Sequence, residues 1–265
     1  MLDKPTPLGE TLKRWREQRA LSQLELSLRA EVSTRHLSFV ETGRAAPGRD
    51  LLLRLADELA IPLRERNTIL VAAGFAPVFA HRRFSDPEFD AVRTIIDRTL
   101  ANAWPFPAYV IDRHWNVVAS NAAIPELFEG ARADLAERPV NVVRLMLHPE
   151  GMAPRIRNLA VWRAHYLHAL HRQLQFSTDP VLERLLAEVL AYPDASPADD
   201  TPQGGGLAVP LEVETRLGRL SFLSATTVFG EPLDVTLEEI AVEQLYPADD
   251  ATDRAVRAAA PPRAG

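Results

Sequence analysis

Two sets of side chains in this chain have the types and spacing to do chemistry, and they call for different partners. The first lies between residues 22 and 44. Ser33, Thr34, Arg35, Ser38 and Phe39 fall on the outward side of a short predicted helix whose inward positions are Leu37 and Val40, three residues apart. Small hydroxyls and a guanidinium on one helix face suit the edges of base pairs in a major groove. Arg35 can pair bidentately with guanine O6 and N7, Thr34 and Ser38 can bond several bases, and Phe39 can touch a thymine methyl. Gln23 and Arg44 stand at helix ends, where contacts position a protein on phosphates without reading sequence.

The second set is a histidine row, His165, His168 and His171, recurring at every third residue of another predicted helix. Neighbouring pairs can approach one ion, but three imidazoles at this spacing fan across roughly 120° of the helix surface and do not converge. The chain has no cysteine, so disulfides, thiolate nucleophiles and Cys-ligated zinc or iron–sulfur clusters are excluded. Neither HExxH, a dinucleotide glycine fingerprint, a Walker loop nor a GxSxG elbow occurs. A half-exposed helix face is therefore the reading of the histidines, with no catalytic residue, no metal and no cofactor expected. An enzyme centred on the histidine helix, localised by a DNA-binding head, is the rival.

These side chains must be held by elements, and the apolar spacing outlines them. From Leu8 to about Gly74 five short helices fit. Leu8, Leu12 and Trp15 share a face of the first. Ser22 with Glu25 three residues on forms a capping box for the second, Ser33 caps the third, and Gly43 stops it. Gly74 to Pro87 has boundary composition, and a connecting helix over about 88–102 follows. Beyond it come strands over 109–112 and 115–120, helices over 122–129, 140–147, 153–175 and 180–191, and an exposed loop over 195–206. Strands over 207–216, 219–229 and 236–246 precede a disordered tail. The fold class is thus an all-α N-terminal domain of five helices plus an α+β C-terminal domain, a five-stranded antiparallel sheet with helices. The divisions expected are 1–83, a connecting helix over 84–103, a second domain over 104–248 and a tail over 249–265.

Charge agrees with this division. The 265 residues carry a net charge of −6. Residues 1–83 hold 14 basic against 10 acidic side chains, whereas residues 84–265 hold 16 against 26. The first segment alone is then suited to meet a polyanion. The N-terminus lacks a basic segment followed by an apolar run, and no stretch reaches the roughly 18 apolar residues of a membrane span, so a cytoplasmic protein without membrane contact is expected.

The run Ser22-Gln23-Leu24-Glu25-Leu26-Ser27-Leu28-Arg29-Ala30-Glu31-Val32-Ser33-Thr34-Arg35-His36-Leu37-Ser38-Phe39-Val40-Glu41-Thr42-Gly43 resembles the phage-repressor-like helix-turn-helix of the Xre family, with Pro47 also at the family's spacing. The resemblance implies an internal ion pair between Arg16 and Glu41. Glu31 departs from it, standing where the family commonly has a glycine of positive φ. From about Leu8 to Asp249 the whole chain resembles the MmyB-like regulators. The stretches that carry this are His36 to Arg44, Pro107 to Arg113 with Trp115 and Asn121, Leu147 to Gly151, Asn158, Phe229 to Glu239, and Tyr246 to Asp249. That resemblance implies a PAS-like second domain holding a small apolar molecule, fatty-acid-like ligands being the leading class.

The residues suit that implication. A sheet folded against helices leaves a concavity, here lined by Phe106, Tyr109, Trp115, Leu127, Phe128, Leu145, Met146, Trp162 and Tyr166. Asn121, Arg155, Asn158 and His165 are the polar candidates, an arginine beside an asparagine being able to hold a carboxylate head. The expected partners are a double-stranded DNA operator, a small apolar ligand and a second copy of the chain in a homodimer. The rival is a ligand-free regulator whose C-terminal domain serves dimerisation or grips another protein.

Overall fold

Leu12, Trp15, Leu26, Leu37, Val40, Leu52, Leu55 and Leu59 are almost wholly removed from water, and they are the periodic apolar residues of the first helices. The computed structural model describes residues 7–124, 129–175, 177, 179–193 and 209–260. The chain divides into two units, Met1–Arg83 with Glu231–Glu238, and Phe84–Gly230 with Glu239–Gly265.

In the first unit, helices α1 (Pro7–Gln18), α2 (Gln23–Arg29), α3 (Thr34–Glu41), α4 (Arg49–Glu58) and α5 (Leu63–Ala72) follow one another through short turns. Ser22 and Glu25 complete the capping box of α2, and the Ser33 hydroxyl accepts from the His36 amide at the start of α3. Gly9 lets α1 approach the end of α3, because a Cβ there would meet the Glu41 and Val40 carbonyl oxygens at 2.4 and 2.7 Å. Gly43 leaves α3 with φ +74°, the left-handed stop expected of it.

The second unit opens with a 3₁₀ turn at Pro87–Phe89 and helix α6 (Asp90–Ala103), followed by strands β1 (Ala108–Ile111) and β2 (Val117–Ser120). Helices α7 (Val142–Leu147), α8 (Leu159–Leu174) and α9 (Pro180–Leu190) come next. Asp179 accepts from the Val181 amide and Pro180 begins α9, where a missing N–H costs nothing. Strands β3 (Leu211–Thr215), β4 (Gly218–Val228) and β5 (Ala241–Pro247) complete a five-stranded sheet in the order β2-β1-β5-β4-β3, every neighbour antiparallel. The core contains Val143, Leu145, Leu159, Leu170, Leu182, Val213 and Phe222.

Three expectations are corrected. The strand expected from Thr236 begins at Ala241, because Asp234 accepts from the Thr236 amide and starts a helical turn, α10 (Val235–Glu238), which belongs to the first unit. That segment is stitched to the N-terminal residues: the Val235 amide donates to the Ala80 carbonyl at 2.8 Å, Arg82 Nη1 to Asp234 at 3.0 Å, and the Leu63 amide to Glu238 at 2.7 Å. The first unit is therefore larger than residues 1–83. The tail expected to be disordered from residue 249 instead forms helix α11 (Asp250–Ala259), capped by Asp249, with Thr252 buried and its hydroxyl accepting from the Ser221 amide. The loop over 195–206 and residues 125–128 of the helix expected over 122–129 lie outside the described residues.

Candidate functional site

Glu41, only 2% exposed, organises the helix-turn-helix. Arg16 reaches it through Nε at 2.7 Å and Nη2 at 2.9 Å, the bidentate pair implied by the resemblance, and Gln23 donates to it at 2.7 Å. Gln23 is thus tied to the interior through its side-chain amide, which carries a second N–H. The turn between α2 and α3 passes through Glu31 at φ +52°, a conformation that favours glycine, and closes with the Val32 amide on the Ser27 carbonyl at 2.9 Å.

On α3 the candidates separate. Ser33 and Arg35 are exposed, Ser38 and Phe39 half-buried, and Arg44 is exposed beyond the helix. The Arg35 guanidinium lies over the Phe39 ring, 5.3 Å from its centre, so the two form one unit on the outward face. Thr34 differs. Its hydroxyl meets that of Ser27 at 2.9 Å, pinning α3 to α2, because at about 100° per residue position 34 leans toward the buried side of Leu37 and Glu41. His36 is exposed beside Arg35 and was not among the candidates. Four residues before inward Val40, it falls near the buried side of the helical wheel, so spacing gave no signal for its exposure.

In the second unit a cavity of about 790 Å³ lies between α8 and one face of the sheet. Alternate strand residues line it because alternate side chains share a face. Tyr109, Glu243 and Thr226 form one cross-strand row, and Ile111, Ala241 and Val228 the next. Helix α8 contributes Val161, Trp162, His165, Tyr166, Ala169, Arg172 and Gln173. Three rings surround Tyr166, Trp115 and His165 edge to face with centres at 5.6 Å and Trp162 tilted at 5.9 Å. Burial, with the Glu243 charge, raises the Tyr166 phenol well above its ordinary value, and burial with the same charge raises Tyr109. Burial lowers the pKa of the His165 imidazole, against the opposing pull of the Glu243 charge.

Of the ligand residues expected from sequence, Tyr109, Trp115, Met146, Trp162, His165 and Tyr166 line this cavity. The other described candidates do not. Asn121 holds the backbone of Ala108, Leu100 and Phe106, and Asn158 ties the Pro210 carbonyl to the Glu212 amide. Phe106 lies under the Arg257 guanidinium at 4.9 Å, and Arg155 packs against Met152. Phe128 is outside the described residues. Sequence reading missed Arg172, seven residues after His165 and so on the same helix face, and Glu243, a charge at an inward position between Ala241 and Leu245. The histidines diverge: His165 faces the cavity, whereas His171 meets the Leu167 carbonyl at 2.7 Å. Among the described residues no group of three or more His, Asp or Glu is placed to hold a metal ion, and no helix is long and apolar enough to cross a membrane.

Residues 12–66 match the family model described as helix-turn-helix, and residues 92–259 the one described as MmyB-like transcription regulator ligand binding domain. No curated protein matches the chain. Among solved structures, that of the clp gene regulator ClgR from Corynebacterium glutamicum is 22% identical over 38% of this chain and 93% of that one, with a TM-score of 0.23. An RNA-binding light-oxygen-voltage receptor is 13% identical with a TM-score of 0.27. The alignment covers 96% of this chain, which spans only 61% of the receptor.

Proposed function

The chain belongs to the MmyB-like transcription regulators, and from that premise we propose that ligand occupancy of its second unit alters how its helix-turn-helix occupies an operator. The chain is a DNA-binding regulator. The finer reading is that it senses a small, largely apolar, fatty-acid-like molecule and acts as a homodimer on a two-fold symmetric site, with half-sites about 10 base pairs apart or a multiple of that.

The observation that carries the reading is the cavity itself. At about 790 Å³ it has the size of a small-molecule site, and it lies in the unit that matches the ligand-binding family. Ile111, Met146, Val161, Leu211 and Leu245 supply the apolar wall for a chain. Arg172, at the cavity edge, takes over the carboxylate-holding part first expected of Arg155. A route to the DNA-binding unit also exists in the chain. The segment Glu231–Glu238, held to Leu63, Ala80 and Arg82, continues directly into β4 and β5, whose Thr226, Val228, Ala241 and Glu243 line the cavity. This segment is the proposed coupling element.

Denaturing the purified protein, extracting it and identifying the extract by mass spectrometry tests the reading, together with the melting temperature in added decanoate. An acyl compound in the extract and a rise in melting temperature are expected. An empty extract and an unmoved melting temperature would favour a second unit that only dimerises.

A further inference from the structure

The cavity contains a carboxylate that a simple hydrocarbon ligand would leave without partners. Glu243 sits on β5, the central strand of the sheet, in the row between Tyr109 and Thr226. It accepts from the Ser224 and Thr226 hydroxyls, each at 2.6 Å, and no described cation pairs with it. An ionised carboxylate has about four acceptor positions, so two remain directed to whatever fills the space. A molecule that displaces water from them without returning a donor costs the desolvation of a charged group. The surroundings favour one kind of donor. The rings of Tyr109, Trp162 and Tyr166 line the same cavity, and aromatic faces attract a cation, most strongly once water has left.

We propose that the molecule bound here carries a protonated amine that pairs with Glu243 and rests against the surrounding rings. The proposal rests on the reading of this cavity as the ligand site and adds the chemistry of the ligand's polar end. Burial disfavours the charged form of His165, which makes it a poorer competitor for the carboxylate than a protonated amine. Arg172 stands seven residues beyond His165 on α8, about 10 Å along the axis. An acidic group at the other end of the ligand would be received there, so the class is an otherwise apolar chain with an amine at the Glu243 end.

Three ten-carbon probes, n-decylamine, n-decanol and n-decanoate, separate the possibilities when titrated into the full-length protein below their aggregation concentrations. Calorimetry and melting temperature are both read. Decylamine is expected to bind about tenfold more tightly than decanol to the wild type. In Glu243→Gln, which keeps the size of the side chain and can still accept from one of the two hydroxyls while its NH2 donates to the other, that ratio should fall to about one with decanol affinity unchanged. Equal binding of amine and alcohol to the wild type overturns the proposal without recourse to the variant. Decanoate binding with decylamine excluded overturns it too, while leaving the cavity as the ligand site. Failure of all three probes removes both readings together.

Discussion

Glu41 is the most consequential single side chain of the DNA-binding unit, because a carboxylate that is 2% exposed is tolerable only with Arg16 and Gln23 upon it. Removing it strands the Arg16 guanidinium, which is 7% exposed. Glu41→Ala should therefore destabilise the unit by about 3–5 kcal/mol in urea unfolding, and a loss under about 1 kcal/mol would contradict the account. On the outward face, Arg35→Ala should cost about 1–3 kcal/mol at one operator position and relax specificity there, as read by shift assays on operator and single-base variants. Thr34→Val should instead lower stability through the lost Ser27 bond while leaving base preference intact. Asp179 supplies a pH test. Burial opposes its ionisation, but His114 at 2.9 Å, the Val181 amide and Arg113 outweigh it and hold its pKa below 3.8. A depressed carboxyl pKa stabilises the fold fully above its unfolded value and loses that effect as pH falls through the folded value. The melting temperature of Asp179→Asn should thus lie below that of the wild type at neutral pH, with the gap closing as pH drops below 3.8. A gap independent of pH would refute this assignment.

At the level of elements, the turn between α2 and α3 shows what residue types disclose. Glu31 stands at φ +52°, the left-handed conformation anticipated from the missing glycine, so Glu31→Gly should raise stability by about 1 kcal/mol with DNA affinity retained. Helices α1 to α5 were legible because each buries spaced apolar residues, with Ser22 and Ser33 marking the starts of α2 and α3. Helix α11 was not: its sequence, Asp-Ala-Thr-Asp-Arg-Ala-Val-Arg-Ala-Ala, offers little apolar area, and what fixes it is the Asp249 cap and Thr252 reaching Ser221. The segment Glu231–Glu238 was hidden for a different reason. Its partners Leu63, Ala80 and Arg82 are some 150 residues or more away in the chain, beyond any local pattern. Asp234→Ala breaks the Arg82 pair and the Thr236 amide bond, and should weaken the effect of ligand on operator affinity while sparing each binding event measured alone. An undiminished effect would remove this segment from the coupling route.

For the whole molecule, the sequence separated a basic first segment from an acidic remainder, and the family matches over 12–66 and 92–259 follow that division. The structure qualifies it, since Glu231, Asp234 and Glu238 add three carboxylates to the N-terminal unit. The cavity was half legible. Its aromatic wall follows from helical and strand spacing, whereas Glu243 and Arg172 acquire meaning only when β5 is placed at the centre of the sheet opposite α8. A ligand held there needs to couple to DNA by only about 1–3 kcal/mol to change occupancy several-fold or more. The decisive measurement is the affinity of the full-length protein for DNA upstream of its own gene, with decylamine and decanoate in turn, for the wild type and for Ala169→Phe, which fills the cavity. A shift of about fivefold or more in the wild type with the bound probe, absent in Ala169→Phe, is predicted. Saturating probe that leaves the wild-type affinity unmoved would contradict the account.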